Sequence, residues 1–297
     1  MADERPILLE VALNEAVTRA QHRFVPVTPE QCAADAIACV RAGASFAHWH
    51  APDRAAYAAA WRAMRAADVI AYPSYPNEPP LDVEARLGDC FDLAESEGLE
   101  MAPLDLGTAH TILWDGQRLG GGGTLANPLP FLEEAAQRYR KLGVLPNLAS
   151  FDLGHTRLAV RLAREGILTP PLVLKIYLSD TWLVGPTPSR EALDLHLAEL
   201  PGDLEIDWLV VPFLLHSTVT FETLCRHALE RGGGFRVGIG DNPALFPDAR
   251  NAELVERVRP WIEASGRRVA TTRDLRRLRQ SASSAAPGAR APIRSRP

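Results

Sequence analysis

The stretch SFAHWHAPDRAAYAAAWRAMRAADVIAYPSY, residues 45–75, reads as strand, helix, strand. SFAHWHA (45–51) is a short apolar run, DRAAYAAAWRAMRAA (53–67) is helical, and DVIAYPSY (68–75) returns to strand character. The unit continues on both sides. Upstream, ILLEVAL (7–13) precedes the helical PEQCAADAIACVRAG (29–43), whose Ala33, Ala36, Ile37 and Val40 follow the i, i+3, i+4, i+7 rule. Downstream come a helix stopped by Gly98, then the strands LEMAPLDLGT (99–108), LPNLASFD (145–152), LVLKIYLS (172–179), IDWLVVPF (206–213) and FRVGIGD (235–241), each followed by a helical segment. Eight strand–helix repeats predict an α/β fold, a single-domain (β/α)8 TIM barrel over residues 1–279. A doubly wound open sheet is the alternative, but no G-x-G-x-x-G follows the first strand. Residues 280–297, rich in Ser, Ala, Pro and Arg, read as a disordered tail.

The 297 residues carry 32 Lys plus Arg against 37 Asp plus Glu, with 46 % hydrophobic and 23 % charged residues, which is globular and mildly acidic. That balance argues against nucleic acid as a partner. No run approaches a membrane span, and MADERPILLEVAL does not have a signal-peptide layout, so a cytoplasmic enzyme is expected. Cys32, Cys39, Cys90 and Cys225 fall in helical segments without a C-x-x-C pair and read as small buried hydrophobes.

In a barrel, chemistry gathers at the C-terminal ends of the strands. Those ends carry Asn14-Glu15, His48-Trp49-His50, Ser74, Asp105 to Thr108, Asp152 and Asp241-Asn242, with Arg236 on the last strand. His48 and His50 are two apart on a strand, so both face one side and suit a shared cation such as zinc; histidines bonded to neighbours give the same spacing. Arg236 and Asp241 read as a pair in which the guanidinium keeps the carboxylate ionised, for acid–base work or for closing the barrel. Ser74 and Thr108 are candidates for oxyanion donors. His110, His155 and His216 follow strand ends in loops, and His22, His196 and His227 read as surface residues. In the excursion 110–127, Asp115-Gly116 is a hairpin signal and Gly120–Gly123 a lid or hairpin arm.

VPVTPEQCAADAIACVRAGASFAHWHAPD (25–53), YPSYP (72–76), LDLGT (104–108), SFD (150–152) and GGGFRVGIGDN (232–242) together resemble the β-keto acid cleavage enzymes, over about residues 7–278. The resemblance implies a TIM barrel that holds a divalent metal, usually Zn2+. The implied reaction joins a β-keto acid to acetyl-CoA and yields acetoacetate plus a new acyl-CoA, in a homo-oligomer, commonly a tetramer. It implies His48 and His50 as metal ligands, Arg236 and Asp241 as the acid–base pair, and Ser74 and Thr108 at the substrate.

The chain departs from the family where a metal-binding Glu precedes the last Asp (here Gly240), at a strand-five Glu (here Ala149), and in the strand-one turn, Leu13-Asn14-Glu15-Ala16. Glu15 is the candidate replacement ligand; Asp241 is another, and two histidines with water, or no metal, a third. Glu15, Asn14 and His110 are expected to contact substrate, and Trp49, Tyr75 and Trp114 hint at an apolar substrate tail. Two further readings are a metal-free, aldolase-like lyase using Lys175, a lysine the family lacks, and a weakened barrel that binds acyl or keto-acid ligands without turnover.

Overall fold

The computed structural model describes residues 5–76 and 82–284. Eight strands form one parallel sheet: β1 (Leu9–Ala12), β2 (Phe46–Trp49), β3 (Ala71–Pro73), β4 (Met101–Asp105), β7 (Leu145–Ser150), β8 (Leu172–Ser179), β9 (Ile206–Phe213) and β10 (Gly234–Val237). Their order is β3-β2-β1-β10-β9-β8-β7-β4, and β3 lies beside β4 across the seam, so the sheet is a nearly closed barrel. The outer helices are α1 (Pro29–Ala42), α2 (Arg54–Ala66), α3 (Val83–Glu97), α4 (Leu129–Leu142), α5 (Leu153–Arg164), α6 (Arg190–Ala198), α7 (Thr218–Glu230) and α8 (Asn251–Ala264). The predicted TIM barrel is therefore the fold.

Period-two alternation splits each strand between two cores. Leu9, Val11, Ala47 and Trp49 point outward into the layer shared with the helices, while Phe46, Tyr72, Val173 and Leu209 point into the barrel. Trp49 meets Tyr57 of α2 edge-on at 5.7 Å, so it belongs to the outer core and not to a substrate pocket, contrary to expectation. The last helix, α9 (Thr272–Ser284), brings Leu275 to the inner cluster and is clamped by Arg276 and Arg279 on Glu100. This helix runs into the segment read as a tail; residues 285–297 of that segment lie outside the described residues.

Local signals set the boundaries. Thr28, Asp53, Asp82 and Asp152 cap α1, α2, α3 and α5 by accepting from backbone N–H groups that have no partner inside the helix. Gly98 ends α3 at φ +65°, a conformation that suits glycine. The excursion after β4 is an antiparallel hairpin of β5 (Gly107–Trp114) and β6 (Leu119–Asn127), with Gly120–Gly123 inside β6. Its turn is held by Asp115, whose Oδ1 accepts from the N–H of Gln117 and Arg118, both at 2.8 Å. The four cysteines are buried in helices, as expected. Three histidines correct the sequence reading: His22, His196 and His227 are buried rather than superficial. His22 Nε2 lies 3.0 Å from the Phe246 carbonyl, His196 Nδ1 lies 2.6 Å from Thr156 Oγ1, and His227 Nε2 lies 3.0 Å from Asp194 Oδ1, each joining two chain segments.

Candidate active site

The barrel mouth holds a cavity of about 110 Å³. Glu15, His48, His50, Ser74 and Arg236 all line it, so five of the residues singled out from sequence converge. β1 and β2 are neighbours with Ala12 opposite His48, which brings the turn after β1 against the histidines. Glu15 sits in that turn at φ +39°, a left-handed conformation that costs a residue with a Cβ of the order of 1–3 kcal/mol. Asn14 locks the turn: its Oδ1 accepts from His50 N–H at 2.8 Å, and its Nδ2 donates to the His50 and Pro26 carbonyls at 2.9 and 3.1 Å. Asn14 is thus buried, with its amide holding the turn against the loop that follows β2.

Glu15 Oε1 stands 3.2 Å from His48 Nε2, and Glu15 Oε2 stands 2.7 Å from His50 Nε2. One ligand atom from each of the three residues falls within a 4.8 Å cluster. His48 Nδ1 is 3.1 Å from the Tyr72 carbonyl, which can only accept, so Nδ1 carries the proton. Burial lowers His48 to about 4, leaving the ring neutral at pH 7. Its Nε2 lone pair then faces a carboxylate oxygen, an arrangement that a shared cation or an added proton relieves. His50 Nε2 is buried and has no hydrogen bond despite its closeness to Glu15. Two imidazoles and a carboxylate are a donor set suited to a divalent ion of the zinc type, and the backbone bond at His48 Nδ1 is the outer support such ligands use.

Arg236 fills the space behind Glu15. Its Nη2 donates to Glu15 Oε1 at 2.6 Å, its Nη1 to Glu10 Oε1 at 3.2 Å, and its Nε to Asp241 Oδ2 at 2.7 Å, with a further bond from Nη2 to Asp241 Oδ1. Burial opposes ionisation of Glu15, but His48, His50 and Arg236 together hold it well below the usual carboxylate range. Asp241 is fully buried behind the guanidinium. Burial raises it to about 7, while Arg236 pulls the other way, toward the ionised form.

Other expected residues lie elsewhere. Thr108 and His110 are exposed on β5 and do not line the cavity. Gly107, at φ +68°, turns the chain out of the barrel, and Thr111 and Leu125 are the hairpin residues that reach the cavity. Their backbones matter instead: the Thr108 carbonyl lies 3.2 Å from His155 Nε2, and the His110 carbonyl accepts from Trp182 Nε1 at 2.8 Å. His216 Nε2 pairs with Thr181 Oγ1 at 3.1 Å. Trp114 is on the hairpin, bonded through its backbone N–H to the Thr181 carbonyl, and only Tyr75 of the three expected aromatics lines the cavity.

Phe151, Tyr177, Trp182 and Phe213 supply the aromatic wall that sequence reading missed, with neighbouring ring centroids 4.7–6.2 Å apart. Asp105 and Lys175 also line the cavity, and Glu10 is buried beneath it. The signal for Glu10 and Lys175 was a lone charge in an apolar strand, LEVA and LVLKIYLS.

The departures noted in the sequence are structurally linked. A Cβ on Gly240 would meet Asn14 N at 2.9 Å and the Ala12 carbonyl oxygen at 3.0 Å. The turn that presents Glu15 therefore occupies the space a side chain at 240 would need. Ala149 is buried in the barrel interior, in register with Lys175.

The fold and this cluster define a TIM-barrel enzyme whose mouth combines a carboxylate–imidazole set with a buried arginine–aspartate pair. A family model described as beta-keto acid cleavage enzyme matches residues 6–280. The chain belongs to that family, whose members are carbon–carbon bond-cleaving acyltransferases. It is 27 % identical over 292 residues to 3-dehydrocarnitine:acetyl-CoA trimethylamine transferase of Rhizobium meliloti (strain 1021), covering 89 % of this chain and 92 % of that one. It is 26 % identical over 295 residues to 3-keto-5-aminohexanoate cleavage enzyme of Fusobacterium nucleatum subsp. nucleatum, covering 93 % and 97 %. The solved binary complex of ObcA with oxaloacetate has a TM-score of 0.65 and 18 % identity, over 86 % of this chain and 67 % of that one, a likeness of fold. Among the described residues no helix is long and apolar enough to cross a membrane.

Proposed function

We propose that this enzyme condenses a β-keto acid with acetyl-CoA, giving acetoacetate and a new acyl-CoA, and that it depends on Zn2+ held by Glu15, His48 and His50. The observation that carries the reading is the convergence of three ligand atoms within 4.8 Å, one of them an imidazole lone pair turned toward a carboxylate. Bound there, the cation supplies Lewis-acid polarisation of a keto oxygen.

The chain's own residues do the rest. Ser74, on the cavity wall, offers a hydroxyl donor to the oxygen on which negative charge develops. Arg236 keeps Glu15 ionised and turned toward the histidines. Asp241 titrates near neutrality and is reached from the cavity through Arg236, so its acid–base role is exerted across that pair. The aromatic wall excludes water from the reacting carbons and favours an apolar tail. The reading also takes the working form to be a cytoplasmic homo-oligomer; sedimentation of the purified protein tests the oligomer, and cell fractionation tests the location.

The deciding experiment measures zinc in protein purified without added metal, alongside H48A, and acetoacetate formation from acetyl-CoA with a panel of β-keto acids. Stoichiometric zinc that is lost in H48A, together with acetoacetate from at least one keto acid, is the expected result. Absence of bound metal would overturn the zinc centre, and absence of acetoacetate from every keto acid would overturn the reaction.

A further inference from the structure

Lys175 stands inside the barrel on β8 with 2 % of its surface exposed, and it borders the cavity. Buried lysines are almost always paired with an opposite charge. Here no carboxylate among the described residues lies within 4.0 Å of the ammonium. Its hydrogen bond goes to Tyr72 Oη at 2.8 Å. The Tyr72 hydroxyl gives its own proton to Glu10 Oε1, so the tyrosine oxygen accepts one ammonium proton and no more than screens the charge. The rings of Tyr72 and Tyr177 flank Nζ at 4.7 and 5.7 Å and fix its position. Two N–H groups of the ammonium are left without an acceptor among the described residues.

The other cation on the cavity is already engaged. Arg236 donates to Glu10, Glu15 and Asp241 through four of its five N–H groups and is held by three carboxylates. An anion entering the cavity therefore meets Lys175 as the cation with more donors to spare and no carboxylate in contact with it. Burial pulls the ammonium below its ordinary range against the attraction of the more distant Glu10, Asp105 and Glu15, and a carboxylate bound in contact adds to their pull. Every β-keto acid brings a carboxylate. We propose that Lys175 is the seat of a substrate carboxylate and selects keto acids over neutral ketones of the same shape. The proposal rests on the keto-acid reading of this cavity, and it assigns Lys175 an ionic role and not a covalent one.

The test compares wild type with K175M, which keeps the apolar stem and removes the charge, by titration calorimetry. Three probes are used: acetoacetate, 3-oxoglutarate, and pentane-2,4-dione, which has the shape of acetoacetate without its charge. K175M is expected to weaken acetoacetate roughly tenfold or more, the scale of one lost charged hydrogen bond, and to leave the dione unchanged. Weakening confined to 3-oxoglutarate supports the seat as well and assigns it to a second, distal carboxylate. Equal weakening of the dione and the keto acids, or no weakening at all, overturns the proposal, as does a borohydride-fixed adduct on Lys175.

A second measurement needs no variant. The chain has two lysines, and Lys141 is exposed on α4, so 15N-lysine labelling gives a probe and its internal control. The Lys175 signal is expected to move with acetoacetate and not with the dione; a signal that ignores both overturns the seat. Lys175-dependent binding without any acetoacetate formation from acetyl-CoA would remove the proposed reaction and leave the seat standing.

Discussion

Arg236 Nη2 lies 2.6 Å from Glu15 Oε1, so the guanidinium that pairs with Asp241 also clamps the carboxylate facing the two histidines. The arginine–aspartate pair and the candidate metal centre are one electrostatic unit. Changing either half is felt by the other.

R236M removes the one cation shared by Glu10, Glu15 and Asp241, two of which are fully buried. Stripping the partner from buried charges costs about 3–5 kcal/mol. A fall of that size in urea-unfolding stability is expected, with zinc retention reduced in the same protein. A loss within about 0.5 kcal/mol, the usual range for an ordinary surface change, would show that the network is not what holds these carboxylates.

Glu15 is predicted to trade stability for cation binding. E15Q keeps the shape and removes the charge, so zinc is expected to pass to a chelator at much lower chelator concentration than in wild type. E15G loses the ligand and also relieves the left-handed backbone, gaining about 1 kcal/mol over E15Q. Chelator competition and thermal unfolding on the two variants separate the effects. Zinc binding as tight in E15Q as in wild type would remove Glu15 from the ligand set.

At Gly240 the prediction is steric. A Cβ there is opposed by backbone atoms of Asn14 and Ala12 at 2.9–3.1 Å, which cannot swing aside as a side chain does. G240A is expected to lose about 1–3 kcal/mol, the usual cost of overpacking. G240E is expected to be no better and to bind zinc less well, because it displaces the turn that carries Glu15. Zinc binding in G240E that survives the added E15Q change would contradict this.

The pH dependence follows from Asp241. Burial holds its carboxyl up at about 7, so below neutrality it is protonated and above it is ionised. The ionised form is the one that accepts a proton, so acetoacetate formation is expected to rise as pH increases through about 7. D241N cannot ionise, and its residual rate is expected to lack that limb. An unchanged limb in D241N would assign the titration to another group.

Much of this was legible in the chain itself. Alternating apolar strands and amphipathic helices, with no glycine-rich nucleotide turn, determined a barrel, because each strand must be covered by the helix that follows it. The two-residue spacing of His48 and His50 determined that both face one side, since successive strand residues alternate. Arg236 and Asp241, at the end of one strand, were bound to be neighbours. The hairpin was announced by Asp115-Gly116.

Tertiary structure decided the rest. Periodicity tells which side of a strand a residue faces, but not which distant loop closes over it. Whether Glu15 meets the histidines depends on the β1–β2 register and on the Asn14 bonds that hold the turn in a strained conformation. Thr108 and His110 follow a strand end in sequence, yet Gly107 turns the chain away and Thr111 takes the place at the cavity. His22, His196 and His227 look superficial in sequence, and only the neighbouring chain that bonds to each shows them buried. Glu10 and Lys175 were visible as single charges in apolar strands. That they share Tyr72 inside the barrel, with Arg236 engaged and the Lys175 ammonium partly unspent, follows from side chains that converge from four different strands.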